Sequence, residues 1–500
     1  MTAPIEKLPT GIEGFDYISR GGLPRGRTTL VAGTAGSAKT VFASQFLAAG
    51  IERGEPGVFV TFEETPDDLR RNMQGFGWDI ARWEAEGLWA FVDASPHPDD
   101  ERLEAGLYDF SALSARVKAA VERVRAKRVS LDSVGAVFAQ YADASQIRPA
   151  LYRLAATLRE LEVTAILTAE RTSDHGEISR FGVEEFVADN VILLRNVLAE
   201  EKRQRTVEIL KFRGTDHQKG QFPFSVLGGS GIQVIPLTPA GPPMPKPGRE
   251  RISTGNAELD AMCGGGLFAD GIVLLSGATG TGKTLLGSLF AETAVRTGER
   301  ALIYAFEESR EQLVRNAASC GIDLEAAERS GRVTVVCEYP EVMPLEDHLI
   351  RIKQRVRELR PHRVLIDSMS ALDRIAVPKN FREFVVGLSA FVKAQGLCCL
   401  LTSTTPQLTG GSAATEAHVS SIADGIILLR YVELSGEVRR GLTVLKLRGS
   451  VHERSLRELI IDSEGLRIGR PFRNVAGILS GAPAQLGVTA ESPARTHEHP

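Results

Sequence analysis

Short apolar runs alternate with longer amphipathic stretches along most of the chain. The apolar runs include Thr28 to Ala32, Val58 to Phe62, Val129 to Asp132, Ala165 to Thr168 and Val191 to Leu194. The first run leads through a glycine-rich turn into a helical stretch. This alternation is typical of parallel strands that are covered by helices on both faces of the sheet. We therefore predict an α/β fold with a mainly parallel sheet.

The chain repeats this pattern. Gly11, Asp16, Lys39 and Glu63 recur 244 positions later, and Asp132, Asp189, Lys211 and Arg213 recur 235 positions later. A net deletion of nine residues in the second copy explains both offsets. Because chance matches do not preserve order and spacing over so many landmarks, we predict two copies of one domain.

A proline-rich segment separates the two copies. It carries six prolines between Pro236 and Pro247, which favour extended polyproline geometry. After Gly477 the chain has small residues and no periodicity, which is typical of a mobile tail. We predict a first domain over residues 1–235, a linker over 236–251, a second domain over 252–477 and a tail over 478–500.

Composition narrows the class of protein. Apolar residues make up 43% of the chain, charged residues 24%, and the formal net charge is −4. This is ordinary globular usage and gives no global reason to expect a protein that coats nucleic acid. The five cysteines lack CxxC spacing and favour reduced thiols. The first residues lack the apolar stretch of a signal peptide, and no run of about 18 apolar residues occurs, so we expect a cytoplasmic protein without membrane contact.

A complete Walker A motif lies in the second copy. It reads Gly277-Ala278-Thr279-Gly280-Thr281-Gly282-Lys283-Thr284 between an apolar run and a helical run. Glycines let backbone N–H groups surround phosphates, Lys283 neutralises the β- and γ-phosphates, and the Thr284 hydroxyl is a ligand for Mg²⁺. The motif predicts an ATP and Mg²⁺ site.

The first copy departs from this motif at one position. It reads Gly33-Thr34-Ala35-Gly36-Ser37-Ala38-Lys39-Thr40, so that Ala38 replaces the glycine before the lysine. An alanine fits there if its torsions are right-handed, and it prevents the motif from forming if its φ is positive. Since Lys39 and Thr40 are retained, we predict that the first copy also binds nucleotide.

Acidic residues end two of the predicted strands in each copy. Asp132 and Asp367 end the apolar runs that begin at Arg128 and Arg363, as a Walker B aspartate does, and we predict that they help to bind Mg²⁺. Glu63-Glu64 and Glu307-Glu308 follow another strand. Adjacent carboxylates at a strand end point in different directions, so one can face the γ-phosphate while its neighbour positions it.

A pair of cations follows later in each copy, at Lys211 and Arg213 and at Lys446 and Arg448. Alternate residues of a strand share a face. Such a pair is either an exposed basic strand or a set of trans-acting fingers for an active site at a subunit interface.

These motifs together resemble the KaiC family of circadian-clock ATPases and autokinases. The resemblance covers nearly the whole chain and includes the strings PTGIEGFD, FEETPDDL, MCGGG, ATGTGKT, EESREQL, ADGIILLRYVE and LRGSVHE. It implies two RecA-like tiers in a homohexamer, with ATP at the subunit interfaces. The first tier would be a slow ATPase that binds a KaiB-like partner, and the second would autophosphorylate.

The resemblance also implies roles for residues at matching positions. Glu63 and Glu64, and Glu307 and Glu308, would be the catalytic carboxylates; Glu307 would prime the acceptor hydroxyl and contact the metal. The nucleotide contacts would be residues 33–40 and Thr279, Gly280, Thr281, Gly282, Lys283, Thr284 and Leu285. From the neighbouring subunit they would be Lys211, Phe212, Arg213, Thr215 and His217, and Lys446, Leu447, Arg448, Ser450 and His452.

The family's phospho-acceptors match Ser420 and Ser421, within the segment from Thr415 to Ser421. In the first copy the same positions hold Glu185 and Phe186, so hydroxyls occur only in the second copy. The family pattern has Ser-Thr where this chain has Ser-Ser. The tail diverges from the segment that binds KaiA, so dependence on KaiA stays open; a histidine-kinase-type output partner is a further expectation.

Two other functions are compatible with these motifs. A RecA-type DNA motor shares the sheet and the P-loop, but the acidic balance and the lack of an aromatic-basic stretch disfavour it. A nucleotide-gated scaffold would hydrolyse ATP and leave its serines unmodified. Incorporation of phosphate distinguishes the scaffold from the autokinase.

Overall fold

The computed structural model describes residues 5–95, 110–138, 147–179, 184–199, 202–235, 248–405, 419–434, 436–472, 475–476 and 484–485. The chain divides into two compact units, Met1–Ala240 and Gly241–Pro500. The division falls within the proline-rich segment.

The first unit is built on a nine-stranded sheet in the order β11-β10-β9-β8-β3-β7-β6-β4-β5. The strands from β8 to β5 are parallel, and β9, β10 and β11 extend the sheet in antiparallel pairs. The elements are β1 (Lys7–Leu8), α1 (Phe15–Ile18), β2 (Leu23–Pro24), β3 (Thr28–Gly33), α2 (Lys39–Ile51), β4 (Gly57–Thr61), α3 (Pro66–Gln74), α4 (Ile80–Ala85), β5 (Trp89–Asp93), α5 (Phe110–Val124), β6 (Arg128–Asp132), α6 (Val134–Phe138), α7 (Ile147–Glu160), β7 (Thr164–Glu170), α8 (Glu184–Val187), β8 (Asn190–Ala199), β9 (Lys202–Phe212), β10 (Gln221–Leu227) and β11 (Gly231–Val234).

The second unit repeats this plan with the order β16-β15-β17-β18-β14-β19-β20-β21-β22. Its elements are β12 (Arg251–Ile252), α9 (Ala257–Met262), β13 (Leu267–Phe268), β14 (Ile272–Gly277), α10 (Lys283–Thr297), β15 (Ala301–Ala305), α11 (Arg310–Ala318), α12 (Leu324–Arg329), β16 (Val333–Cys337), a 3₁₀ turn (Pro340–Val342), α13 (Leu345–Leu359), β17 (Arg363–Asp367), α14 (Met369–Arg374), α15 (Pro378–Gln395), β18 (Cys398–Thr404), β19 (Gly425–Leu434), β20 (Glu437–Leu447), β21 (Arg457–Asp462), β22 (Gly465–Pro471), β23 (Val475–Ala476) and β24 (Ala484–Gln485). The predicted α/β class and the duplication are confirmed.

Helices cover both faces of the first sheet. Leu30 and Ala32 of β3 pack in the core that contains α5 and α7, whereas Val31 packs in the core that contains α2. Successive side chains of a strand point to opposite faces, so a strand buried on both faces has an uninterrupted apolar run. This is why the strands could be recognised in the sequence.

A buried arginine anchors the strand that carries the Walker B aspartate in each unit. Arg128 has no exposed surface and donates to the Glu55 carboxylate at 2.6 and 2.8 Å and to the Phe46 carbonyl at 2.9 Å. Arg363 makes the matching ion pair with Glu299. A buried charge of this kind is tolerated only when it is paired and hydrogen-bonded. The two arginines thereby fix the amino ends of β6 and β17.

The cysteines are reduced, as their spacing predicted. All five cysteines are free thiols, four of them buried and Cys337 half-buried. Within the described ranges, no helix is both long enough and apolar enough to cross a membrane.

Candidate nucleotide sites and the cation clusters

The second P-loop connects β14 to α10, which begins at Lys283. The Lys283 Nζ donates to the carbonyl oxygens of Gly277 at 2.8 Å and Ala278 at 2.9 Å. Burial lowers the pKa of Lys283, and the nearby carboxylates of Asp367 and Glu307 oppose that shift. The loop therefore places a cation and the amino terminus of a 15-residue helix at one point, which suits the phosphates of a nucleotide.

Each Walker B aspartate contacts the P-loop threonine of its own unit. Asp367, at the end of β17, accepts hydrogen bonds from Thr284 and Thr402, which partly offset the rise in its pKa caused by burial. Asp132 accepts from Thr40 and Thr168 in the same way. The peptide bond after each aspartate is cis.

A hydroxyl beside a carboxylate fits Mg²⁺, which prefers oxygen ligands. The described residues contain no cluster of three or more His, Cys, Asp or Glu side chains that could hold a metal by themselves. An Mg²⁺ bound with ATP usually takes only one or two carboxylates and completes its ligands with phosphates and water.

The first P-loop has the same contacts in spite of Ala38. The Lys39 Nζ donates to Gly33 O at 3.0 Å and Thr34 O at 3.1 Å. Ala38 has φ 70° and ψ 30°, so the positive φ that was expected to prevent the motif is present. That expectation was too strict, because an alanine in the left-handed region costs about 1–2 kcal/mol and is not forbidden there.

The other residues of the two loops lie in the turns around these lysines. Thr34 Oγ1 donates to Asp174 Oδ1 at 2.8 Å, Thr281 Oγ1 donates to Ala278 O at 2.7 Å, and Thr279 O accepts from the Tyr431 hydroxyl at 3.2 Å. Gly36 O accepts from Arg205 Nε at 3.1 Å and Gly280 O accepts from Arg440 Nε at 3.2 Å. Ala35, Ser37, Gly282 and Leu285 complete the predicted set, and Leu285 packs on the core of the second unit.

The second carboxylate of each acidic pair is held in the same way in both units. Glu64 Oε2 accepts from the Asn72 side chain and Glu308 Oε2 accepts from the Asn316 side chain, both at 3.2 Å. Burial raises the pKa of Glu64 and of Glu308, and the asparagine hydrogen bond opposes the rise in each case. This carboxylate is therefore a fixed neighbour of the first one.

The first carboxylate has different surroundings in the two units. Glu307 forms an ion pair with Arg374 at 2.9 Å and accepts from the Ser368 hydroxyl at 3.1 Å. For Glu63, burial raises the pKa most, the carboxylates of Glu170 and Asp132 raise it further, and the nearby Lys39 opposes the rise. The first carboxylate thus has an arginine partner in the second unit, whereas in the first unit the charge of Glu170 acts on it.

The cation pairs bind the segment in front of β8 and β19. The Lys211 Nζ donates to the carbonyls of Glu185 at 3.2 Å and Ala188 at 2.9 Å, and Arg213 lies 3.7 Å from Asp189. Burial lowers the pKa of Lys211. Of the other predicted residues, Phe212 ends β9, is buried, and has its ring centroid 5.5 Å from that of His217. Thr215 is half-buried, and burial lowers the pKa of His217.

In the second unit these cations donate hydrogen bonds to the backbone carbonyl oxygens of the predicted acceptor serines. The Lys446 Nζ donates to Ser420 O at 3.0 Å and Ala423 O at 2.7 Å, and Arg448 donates to Ser421 O at 3.3 Å. Ser420 is half-buried and Ser421 is exposed. The preceding residues 415–418 lie outside the described residues. Leu447 is buried, Ser450 Oγ donates to Cys263 O at 2.9 Å, and the ring of His452 lies 3.4 Å from Ser450 O.

Strand register separates these cations from the P-loop of the same chain. Lys446 pairs with Ile426, which pairs with Leu274 near the start of β14, whereas Gly277 at the end of β14 pairs with Leu429. Three residues of strand correspond to about 10 Å. The P-loop lies at the carboxyl ends of the parallel strands. The cation pair and the serines lie toward the amino ends of β14 and β19.

The residues at these sites that sequence reasoning missed include Arg205, Arg440, Arg374 and Glu170. Arg205 and Arg440 were detectable, because they are 235 positions apart and so belong to the same repeat. Arg374 and Glu170 gave no such signal, since their importance depends on the residues that the fold brings near them: Glu307 for Arg374 and Glu63 for Glu170.

The repeated sheet, the two P-loops and the acidic residues at the strand ends define a tandem P-loop ATPase. A family model for the KaiC ATPase matches residues 8–239 and again 252–472. The chain belongs to the KaiC family.

Curated relatives match nearly the whole chain. The chain is 60% identical to the circadian clock protein KaiC3 of Synechocystis over 96% of this chain and 95% of the relative. It is 51% identical to the circadian clock oscillator protein KaiC of Thermostichus vulcanus, over 97% and 93% of the two chains. It is 49% identical to the protein of that name from Synechococcus elongatus, over 98% and 94%.

Proposed function

We propose that this chain is a KaiC-type ATPase and serine/threonine autokinase that acts as a circadian or other timing hub. The first domain hydrolyses ATP, and the second transfers the γ-phosphate of ATP to Ser420 and Ser421 and later removes it. ATP and Mg²⁺ are the cofactors. The domains span residues 1–235 and 252–477, with a linker at 236–251 and a tail at 478–500.

The observation that carries the proposal is a difference between two otherwise matching units. Each unit brings a P-loop lysine, a Walker B aspartate and an acidic pair to the carboxyl ends of its parallel strands. Only the second has hydroxyls on the segment that its cation pair holds, at Ser420 and Ser421, where the first has Glu185 and Phe186. Phosphate transfer to the chain therefore belongs to the second unit.

The two reactions use the same groups on different nucleophiles. In the second domain Glu307 takes the proton from the serine Oγ as this oxygen attacks the γ-phosphorus, and the bond to the β–γ bridging oxygen breaks so that ADP leaves. In the first domain Glu63 does the same for water. Lys283 and Lys39 neutralise the phosphates. Mg²⁺, when bound with ATP, would spread the charge of the β- and γ-phosphates, with Thr284 and Asp367, or Thr40 and Asp132, nearest to it.

The distance between the cation pairs and the P-loop supports an assembly. Lys446 and Ser420 lie toward the amino ends of the parallel strands, and the P-loop lies at their carboxyl ends. A serine therefore reaches a γ-phosphate when two copies of the chain meet head to tail. We propose that six copies meet in this way and close into a ring, as the resemblance to the family implies. A KaiB-like protein and a histidine-kinase-type output protein are the partners that we propose; KaiA is not part of the proposal. The location proposed is the cytoplasm.

The test is incubation of the purified full chain with Mg²⁺ and γ-labelled ATP. The wild type should incorporate label, and a Ser420→Ala/Ser421→Ala variant should not. Ser463→Ala, an exposed serine on a turn of the second unit, is the matched control and should label normally. Label on the double variant would move the acceptor site elsewhere. Hydrolysis without label on the wild type would instead indicate the nucleotide-gated scaffold.

A further inference from the structure

Glu170 ends the strand next to the first P-loop. It pairs in register with Gly33, the first residue of the loop, and the following Arg171 N–H donates to Gly33 O at 3.1 Å. Thr168 lies two residues earlier and contacts Asp132. Because alternate residues of a strand share a face, Glu170 is on the same face as Thr168 and one step nearer to the phosphate site.

The charge of Glu170 acts on the groups that would surround the γ-phosphate. Its carboxylate raises the pKa of Lys39, of Glu63 and of Asp132, although burial is the largest effect on each of them. These are the phosphate-binding lysine, the proposed base and the Walker B aspartate. Glu170 is therefore a third carboxylate within electrostatic reach of all three.

The second unit has no acid at the matching position. Thr404 pairs in register with Gly277, and the Thr405 N–H donates to Gly277 O at 3.1 Å, as Arg171 does in the first unit. The Thr404 N–H donates to the Ser370 hydroxyl at 2.8 Å. The residue that matches Ser370 in the repeat is Gly135, which lacks a hydroxyl.

We propose that Glu170 is a further catalytic residue of the first domain, where it accepts the second hydrogen bond of the attacking water. This inference rests on the proposed function. Water has two O–H bonds: one proton passes to Glu63 as the oxygen bonds to the γ-phosphorus and ADP leaves, and the other O–H is oriented by Glu170. A serine hydroxyl has one O–H bond and needs one acceptor. The second domain, which transfers phosphate to serine, has Thr404 instead, and a cation pairs with its base.

The experiment measures steady-state ATP hydrolysis by the full chain with Lys283→Ala as the parent, so that the first domain supplies the turnover. Glu170→Thr introduces the residue of the second domain, and Glu170→Gln keeps the shape but removes the charge. Glu160→Gln, on the exposed surface of α7, is the matched control. Misplacing a nucleophile or losing its proton acceptor lowers kcat by roughly 10- to 100-fold or more.

We expect kcat to fall roughly 10- to 100-fold in Glu170→Thr and by less in Glu170→Gln, which keeps one acceptor oxygen. The KM for ATP should not rise, because the change removes an anion beside the phosphates. Turnover at the parental rate in folded Glu170→Thr would overturn this inference alone. A raised KM for ATP with an unchanged kcat in Glu170→Thr would also overturn the inference, because it would indicate a role in binding ATP alone. If Glu170→Thr does not fold, Glu170→Gln is decisive: a kcat below the parental value supports the inference, and an unchanged kcat overturns it. A parent without hydrolysis would overturn the proposal that the first domain hydrolyses ATP independently, and the inference with it.

Discussion

The residue before the P-loop lysine is alanine in one domain and glycine in the other, and the structure predicts that the two are not interchangeable. Ala38 has φ 70° and ψ 30°, close to the left-handed minimum, whereas Gly282 has φ 104° and ψ 15°, outside the region that L-residues occupy. A Cβ on Gly282 would also lie 2.5 Å from the Ile461 Cδ1. Gly282→Ala therefore introduces both backbone strain and a clash.

The cost follows from these two effects. Left-handed torsions cost an alanine about 1–2 kcal/mol, and overpacking typically costs about 1–3 kcal/mol. Reduced freedom of the unfolded chain returns about 0.4–1 kcal/mol. The net loss in the free energy of unfolding of the second domain is about 1–5 kcal/mol. For a domain of this size that corresponds to a fall in Tm of roughly 2–20 °C.

Differential scanning calorimetry of the full chain measures this fall. The reverse change, Ala38→Gly, is the matched control in the first domain. It relieves strain but frees the unfolded chain and removes a methyl that packs on the first-domain core. These effects nearly cancel, so its Tm should change by less than about 3 °C. If Gly282→Ala melts as the wild type does and autophosphorylates normally, the conformational argument is refuted.

Two further predictions concern activity. Lys283→Ala should abolish incorporation of label from γ-labelled ATP, because the phosphates in the second site lose their cation, while hydrolysis by the first domain persists; loss of all hydrolysis would contradict independent sites. In the same Lys283→Ala protein the rate of hydrolysis should fall on acidification at a pH above the ordinary glutamate pKa of 4.5, because the pKa of Glu63 is raised and a proton acceptor must be ionised. A pH–rate profile checks this, and an acidic limb at or below 4.5 would contradict it.

The sequence predicted most of the fold because strands buried on both faces appear as apolar runs and because the duplication supplied an internal comparison. It also predicted the P-loop lysines and the Walker B aspartates, since their spacing along the chain is fixed by local strand–turn–helix geometry. The bounds of β8 and β9 were harder to predict from the sequence. Both strands run past the sheet's apolar centre into a long antiparallel hairpin, where burial no longer dictates residue type.

The sequence by itself determined the two-domain organisation, the nucleotide-site motifs and the presence of serines in only one copy, because these depend on residue identity at fixed spacing. The tertiary structure alone decided the backbone torsions of Ala38, the pairing of Glu307 with Arg374 and the approach of Glu170 to Glu63. The torsions of Ala38 belong to the folded loop, the ion pair depends on where α14 places Arg374, and the position of Glu170 depends on the register of β7 against β3. Residues far apart in the chain set the charge around a carboxylate only after the sheet has brought them together.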